Sequence, residues 1–314
     1  MQYVNLGRTG LRVSRICLGM MSFGNDSDRQ WVLDEEHAEP IVRAAVEGGV
    51  TFFDTADTYG GTKSEVMLGV ALGARRDEVI IASKFGMPID DTHFGASPAY
   101  VRAACEDSLR RLGTDHIDLY QLHYPDDTVP IVDTLGALRE LVDAGKVREI
   151  GCSNLTVAQL REAKAAAGDG PAFVSVQNQY SLLERSPERD GVLEECHALA
   201  MGFLPFYPLA NGLLTGKVRP GQPLPEGSRL AKMDPDRSVH WLGDELQSKV
   251  AALLAYAESI DVPILSLAFS WLLSHDPVSS VIAGASNADQ IRANANAVRT
   301  LNADVIARLD ELTN

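Results

Sequence analysis

Four polar side chains of the chain could together perform acid–base chemistry on a carbonyl oxygen: Asp54, Tyr59, Lys84 and His123. A free tyrosine has a pKa of about 10, but a nearby ammonium group favours the tyrosinate and makes the phenol a better proton donor. Lys84 could supply that charge, and Asp54 could fix Lys84 and keep it protonated. A neutral His123 could donate a hydrogen bond that orients the oxygen. The set predicts a site that holds and protonates a carbonyl group.

Short strands alternating with longer helices must position these side chains. Runs rich in Val and Ile predict strands at 16–19, 51–54, 79–84, 117–121, 147–151, 174–177, 202–206 and 278–283. Helical periodicity, with N-caps at Ser97 and Thr156, predicts helices over 36–47, 64–72, 98–112, 131–144, 157–167, 187–200, 247–260, 264–273, 289–298 and 303–312. Asp54 and Lys84 end two neighbouring strands, and His123 follows the next one.

About eight strand-then-helix units imply a parallel sheet, and in a chain of 314 residues they fit a closed (β/α)8 TIM barrel better than an open sheet. We expect one domain over 1–314, with the site at the carboxyl ends of the strands. Residues 3–13 predict a hairpin that closes the barrel bottom, and 303–312 adds an extra C-terminal helix. The Pro- and Gly-rich stretch 211–236 is too long for an idle connection and predicts a loop that covers a ligand.

Composition excludes several classes of protein. The net charge of -15 repels phosphate backbones and anionic lipids, so neither nucleic acid nor membrane is an expected partner. Cysteine spacing predicts buried thiols of a cytoplasmic protein, and no metal-ligand spacing occurs (Cys17, Cys105, Cys152, Cys196). No signal peptide and no apolar run long enough for a membrane span are expected. A glycine-rich Rossmann fingerprint is missing after the first strand, so any dinucleotide must bind in another way.

Each of the four polar residues also has a purely structural explanation. Lys84 could be a solvated charge and Tyr59 a packing residue, while Asp54 could cap a turn. His123 could be a structural histidine. Their joint occurrence at successive strand ends favours the chemical interpretation.

Motifs along nearly the whole chain resemble those of the aldo-keto reductase superfamily. They lie at 18–24, 53–60, 83–84, 122–123, 150–154, 177–180, 206–217 and 282–286. The chain is most similar to the branch of bacterial reductases and potassium-channel β subunits. The resemblance implies a catalytic tetrad of Asp54, Tyr59, Lys84 and His123, and reduction of small carbonyl compounds with Tyr59 as the general acid.

The resemblance also implies where a nicotinamide cofactor would bind. Its carboxamide would be held by Ser153, Asn154 and Gln177, with Tyr207 stacked on the ring. The implied cofactor residues are Gly19, Met20, Met21, Asp54, Ser153, Asn154, Gln177, Tyr207, Pro208, Leu209, Ala210, Gly212, Leu214, Lys217, Arg229, Gly284, Ser286, Gln290 and Asn294. The expected substrate pocket comprises Tyr59, Phe85, His123 and Tyr124, and the further aromatic candidates are Phe23, Trp31 and Trp241.

The cofactor is expected to be NADP rather than NAD, although the residues near its 2′-phosphate depart from one branch of the family. Aldose reductases have Lys and Arg where this chain has Gly284 and Gln290. The channel-subunit branch still resembles an NADP binder. It uses an arginine of the long loop for the 2′-phosphate, and that arginine corresponds to Arg229 in this chain. Arginine suits phosphate because its fork can bond two oxygens at once.

Two other functions remain open from the sequence. The chain could be a non-catalytic NADP-binding regulator like the channel subunits, or a Schiff-base aldolase that uses Lys84. An aldolase lysine must be neutral, and the nearby Asp54 opposes that. The sequence predicts neither the physiological substrate nor the oligomeric state.

Overall fold

The computed structural model describes residues 1–24 and 32–314, and its centre is a barrel of eight parallel strands. In barrel order the strands are β3 (Ile16–Gly19), β4 (Phe52–Asp54), β5 (Ile80–Phe85), β6 (Ile117–Leu122), β7 (Val147–Ser153), β8 (Ser175–Gln179), β9 (Gly202–Phe206) and β10 (Val281–Ala283). β10 pairs with β3, and a bridge between Phe203 and Val278 joins β9 to the segment before β10. The architecture is the predicted (β/α)8 TIM barrel.

Helices surround the barrel. They are α1 (Glu35–Glu47), α2 (Lys63–Leu72), α3 (Pro98–Leu112), α4 (Ile131–Asp143), α5 (Val157–Ala167), α6 (Ser186–Arg189), α7 (Val192–Ala198), α8 (Pro235–Ser238), α9 (Asp244–Ser259), α10 (Ile264–Leu273), α11 (Ala288–Asn296) and α12 (Ala303–Thr313). Ser97 caps α3 by accepting from the Tyr100 amide. Thr156 and Gln159 form a capping box on α5, which satisfies amides that the first helical turn leaves unpaired. Both predicted N-caps are confirmed.

The N-terminal hairpin closes the bottom of the barrel. Its strands β1 (Tyr3–Asn5) and β2 (Arg12–Ser14) pair antiparallel. Leu6, Leu11 and Val13 are buried in one apolar cluster with inward-facing strand residues such as Phe52 and Leu119. The interior at this end is therefore filled with apolar side chains, and the polar side chains lie at the other end of the strands.

Two predicted elements differ from the structure. The helix expected over 187–200 is two helices, α6 and α7, because Gly191 has a φ of 78° and interrupts the helical backbone. The last strand begins at Val281 rather than at Val278, because Val278 instead makes the bridge that joins the barrel ends. The predicted long loop is present: after a 3-10 helix at Ala210–Thr215, no helix or strand occurs before α8.

No single helix in the described part of the chain is long and apolar enough to cross a membrane. α9 and α10 meet the length and composition criteria only as a pair, and the pair is bent by 100°.

Candidate active site

The structure brings the four predicted polar side chains together at the carboxyl ends of β4, β5 and β6. Lys84 Nζ lies 2.6 Å from Asp54 Oδ1 and 3.3 Å from Tyr59 Oη, and it also donates to the Thr55 carbonyl at 2.8 Å. All three ammonium N–H groups therefore have an acceptor, which fixes the charge in place. The Tyr59 and His123 rings meet edge to face, with centroids 5.7 Å apart.

Burial controls the electrostatics of this cluster, since Asp54 is 2% exposed and Lys84 is 0% exposed. Burial would lower the pKa of Lys84, but the Asp54 carboxylate and Tyr59 outweigh it and leave that pKa above its ordinary value. Burial raises the pKa of Tyr59 to about 12, and Lys84 opposes this rise without cancelling it. The residue types alone indicate the effect of the ammonium group, but the desolvation of the phenol is the larger effect on this pKa.

His123 is held as a neutral imidazole. Burial, and then the Lys84 charge, keep the pKa of this histidine well below its ordinary value. A neutral ring has one N–H donor, which can serve a carbonyl oxygen beside Tyr59. The backbone carbonyl of His123 accepts from Asn154 Nδ2 at 3.0 Å, which ties the end of β6 to the end of β7.

The second oxygen of Asp54 has two amide partners. Gln177 Nε2 donates to Asp54 Oδ2 at 2.9 Å, and Gln121 Nε2 donates to the same atom at 3.2 Å. Sequence reasoning missed Gln121. The signal was available, because Gln121 is a polar residue within the apolar strand β6 and lies two positions after Leu119, on the same inner face of the barrel.

The ends of β7 and β8 present the residues that were predicted to hold a carboxamide. Ser153 Oγ donates to the backbone carbonyl of Gln177 at 2.7 Å, and Asn154 Nδ2 donates to Ser153 Oγ at 3.0 Å. Asn154 has a φ of 62°, in the left-handed region that is unusual outside glycine. Ser153, Asn154 and Gln177 thus form one hydrogen-bonded group next to Asp54.

The segment after β9 contains four residues with positive φ angles between Tyr207 and Gly212. The φ values are 50° at Tyr207, 46° at Ala210, 54° at Asn211 and 104° at Gly212. Backbone turns of this kind can direct successive N–H groups into one concavity. Pro208, Leu209, Leu214 and Lys217 belong to the same segment, and Lys217 is exposed.

Tyr207 connects this segment to the end of β3 and to the long loop. Its hydroxyl donates to Met21 Sδ at 3.5 Å, and Met20 donates its amide to the Asp54 carbonyl. Gly19 pairs with Asp54 in the barrel register. Arg229 lies over the Tyr207 ring, 5.7 Å from its centroid, and donates to Asn211 Oδ1 at 3.3 Å.

The end of β10, the loop after it and α11 contain the four residues predicted for the adenosine end of a dinucleotide. The Ser286 amide donates to Gln290 Oε1 at 3.0 Å, and Asn294 Nδ2 donates to the Gly284 carbonyl at 3.2 Å. A Cβ built on Gly284 would lie 3.8 Å from Ser22 Oγ, an ordinary van der Waals distance.

The aromatic residues predicted for a substrate pocket lie in different surroundings. Phe85 is buried outside the barrel against Tyr120, at 4.8 Å between ring centroids, because side chains alternate along β5 and Lys84 points inward. We therefore assign Phe85 to the core, contrary to the sequence prediction. Tyr124 is 47% exposed and stacks on His123. Phe23 is buried in the hydrophobic core, and Trp241 packs against that core. Trp31 lies outside the described residues.

Within the described ranges, no group of three or more His, Cys, Asp or Glu side chains is placed so that it could hold a metal ion.

Comparison with known proteins agrees with this geometry. Residues 15–314 match the Aldo/keto reductase family. The chain is 35% identical to "Uncharacterized oxidoreductase YrpG" of Bacillus subtilis, over 99% of this chain and 96% of the relative. It is 34% identical to "Aldo-keto reductase YhdN" of the same organism, over 93% and 87% of the two chains. A "Probable voltage-gated potassium channel subunit beta" of Oryza sativa is also 34% identical, over 95% and 91%. The chain therefore belongs to the aldo/keto reductase family, and this family and the relatives named as oxidoreductases support an oxidoreductase.

Proposed function

We propose that the protein reduces aldehydes or ketones to alcohols with NADPH, and that Tyr59 is the general acid. The observation that carries the proposal is the buried contact series Asp54–Lys84–Tyr59 beside His123. Lys84 Nζ donates to Tyr59 Oη, so the phenol oxygen acts as the acceptor in that contact. The phenol proton is then directed away from Lys84 and is available to a substrate oxygen.

The raised pKa of Tyr59, about 12, is compatible with this role. The oxygen that forms during carbonyl reduction is an alkoxide, which is a far stronger base than a phenolate, so proton transfer from Tyr59 is still downhill. Lys84 stays close enough to stabilise the tyrosinate that remains. His123, neutral and 5.7 Å from Tyr59 between ring centroids, can hold the same oxygen while the proton moves.

The rim of the barrel fits a nicotinamide dinucleotide. Gln177, with Ser153 and Asn154, would hold the carboxamide next to Asp54, and Gly19, Met20 and Met21 would line the same edge. The positive-φ backbone from Tyr207 to Gly212 would receive the diphosphate. Gly284, Ser286, Gln290 and Asn294, which lie together at the end of β10 and on α11, would contact the adenosine end. When bound, the reduced cofactor supplies the hydride, while the protein supplies position and charge.

A turnover assay tests the proposal. We expect the purified protein to oxidise NADPH in the presence of an activated aldehyde such as 4-nitrobenzaldehyde, with the loss of NADPH followed by its absorbance. Omitting the aldehyde is the control. If a panel of aldehydes and ketones gave no turnover although NADPH binds, the assignment as a reductase would be wrong.

Arg229 is the proposed reader of the 2′-phosphate, and we expect Arg229→Ala to weaken NADPH binding about tenfold to a hundredfold. The loss corresponds to charge-assisted hydrogen bonds worth roughly 1.5–3 kcal/mol. NADH affinity should change much less, because NADH has no 2′-phosphate. Fluorescence quenching gives both dissociation constants. Arg219→Ala, which removes an exposed arginine paired with Glu258, is the matched control. Equal losses for the two cofactors would show that Arg229 does not read the phosphate.

A second candidate function is a regulatory subunit that binds the cofactor without turnover. It is favoured by the similarity to the probable voltage-gated potassium channel β subunits of Oryza sativa and Arabidopsis thaliana. The assay above separates the two functions. A Schiff-base aldolase is not favoured, because the Asp54 carboxylate at 2.6 Å keeps Lys84 protonated and hence not nucleophilic.

We also propose a cytoplasmic location. The four cysteines are free and buried, as expected in a reducing compartment.

A further inference from the structure

Three side chains inside the barrel form a closed triangle of hydrogen bonds. Gln177 Nε2 donates to Asp54 Oδ2 at 2.9 Å and to Gln121 Oε1 at 3.3 Å. Gln121 Nε2 donates to the same Asp54 oxygen at 3.2 Å. All three side chains are buried, so these groups have little access to solvent as an alternative partner.

Only one orientation of the two amides satisfies this triangle. If the Gln121 amide were reversed, its oxygen would face the Asp54 carboxylate and its NH2 would face the NH2 of Gln177. If the Gln177 amide were reversed, its oxygen would face both the carboxylate and Gln121 Oε1. Each reversal places two acceptors, or two donors, opposite each other. A buried polar group that loses its hydrogen bond in this way costs about 1–3 kcal/mol. Asp54 and Gln121 together therefore fix which way the Gln177 amide points.

Because the Gln177 amide is fixed, its side-chain oxygen Oε1 lies in a defined place. Both N–H groups of Gln177 Nε2 are used within the triangle, and no donor in the described ranges reaches Gln177 Oε1. That oxygen is an acceptor held ready for an N–H group of a ligand. The opposite outcome, an NH2 group directed at the ligand, would set Gln177 Oε1 against both Asp54 Oδ2 and Gln121 Oε1.

The neighbouring strand leaves room for the Gln121 side chain. Gly151 on β7 pairs with Gln121 in the barrel register. A Cβ at position 151 would lie 3.2 Å from Gln121 Cγ and 2.7 Å from Ser175 Oγ, both too close for an undisturbed contact. The glycine thus permits the Gln121 conformation on which the triangle depends.

We propose that Gln121 is a positioning residue that orients the Gln177 amide, so that Gln177 accepts a hydrogen bond from the NH2 group of the nicotinamide carboxamide. The inference rests on the proposed binding of NADPH. Since Gln177 and Gln121 share Asp54 Oδ2 while Lys84 holds Asp54 Oδ1, the triangle also connects the cofactor-facing amide to the tetrad. Gln121 itself contacts neither substrate nor cofactor in this account.

A binding measurement tests the orientation directly. The probes are NADPH and its reduced 3-acetylpyridine analogue, in which a methyl ketone replaces the carboxamide and the NH2 group is lost. We expect the wild-type protein to bind NADPH about tenfold more tightly than the analogue, the value of one hydrogen bond. In Gln121→Leu, only Asp54 Oδ2 still holds the Gln177 amide, so the amide is less firmly oriented and the preference should fall below about threefold. Fluorescence quenching measures all four dissociation constants.

Two further variants separate orientation from simple damage to the barrel. Leu119→Val alters the same inner face of β6 without touching Asp54, so it should keep the wild-type preference. Gln121→Glu can copy both hydrogen bonds while its carboxyl is protonated. Its preference for NADPH and its kcat should approach wild-type values at low pH and decline as pH rises, because the deprotonated group repels Asp54. If Gln121→Leu does not fold, the glutamate variant decides the question.

The results distinguish failure of the inference from failure of the proposed function. A wild-type protein that binds neither compound would overturn the proposed function together with the inference. A wild-type protein that binds both equally, or a Gln121→Leu variant that keeps the wild-type preference, would overturn the inference alone.

Discussion

We expect Tyr59→Phe to lower kcat for aldehyde reduction by about 10²–10⁴-fold, the range typical of general acid catalysis. The substitution removes the hydroxyl that lies 3.3 Å from Lys84 Nζ and keeps the ring that meets His123 edge to face. The pocket should therefore retain its shape, and the affinity for NADPH should stay nearly unchanged. Steady-state kinetics give kcat, and fluorescence quenching gives the dissociation constant separately.

Tyr256→Phe is the matched control for this experiment. Tyr256 lies on the outer helix α9 and makes none of the tetrad contacts. Its kcat should remain close to that of the wild type. If Tyr59→Phe kept more than about a tenth of the wild-type kcat, a loss of under ~1.4 kcal/mol in barrier height, another group would be donating the proton.

The second large effect concerns Lys84→Met, which we expect to lose both turnover and stability. Asp54 is 2% exposed, and without Lys84 its carboxylate would be a buried charge that has lost its cationic partner. Breaking a buried pair from one side costs about 3–5 kcal/mol. Urea unfolding should show this as a lower midpoint. The phenol of Tyr59 would also lose the cation that stabilises its conjugate base.

The double variant Asp54→Asn with Lys84→Met separates the two effects. Removing the unpaired charge should restore most of the lost stability, since asparagine can still accept from Gln121 and Gln177. Turnover should stay low because Lys84 is still missing. A double variant as unstable as Lys84→Met would mean that the Asp54 charge is not the cause of the instability.

The sequence predicted the fold well because its signals are local and repeated. Alternation of strands and helices, the caps at Ser97 and Thr156, and the hairpin before β3 each reflect the chemistry of a few neighbouring residues. The helix break at Gly191 was missed because the surrounding residues keep a helical pattern. Side chains alternate along β5, so Phe85 and Lys84 lie on opposite faces of the strand and cannot both face one pocket.

The site was harder to predict in two respects that depend on three-dimensional packing. Gln121 acquires its significance only when β6 and β8 are brought to the two sides of Asp54. The net effect on the pKa of Tyr59 depends on how completely the phenol is desolvated, and burial raises that pKa to about 12 despite Lys84. The spacing of the motifs indicates which charged groups lie near Tyr59. It does not indicate how completely water is excluded from the phenol.

The most direct test of the proposed reduction is the fate of the hydride. The protein is incubated with an activated aldehyde and NADPH that carries deuterium at both C4 positions of the nicotinamide, and the alcohol is analysed by mass spectrometry. Our account predicts an alcohol with one deuterium, bound to the former carbonyl carbon, in amounts that match the NADPH consumed. An alcohol without deuterium, or consumption of NADPH without alcohol, would contradict it.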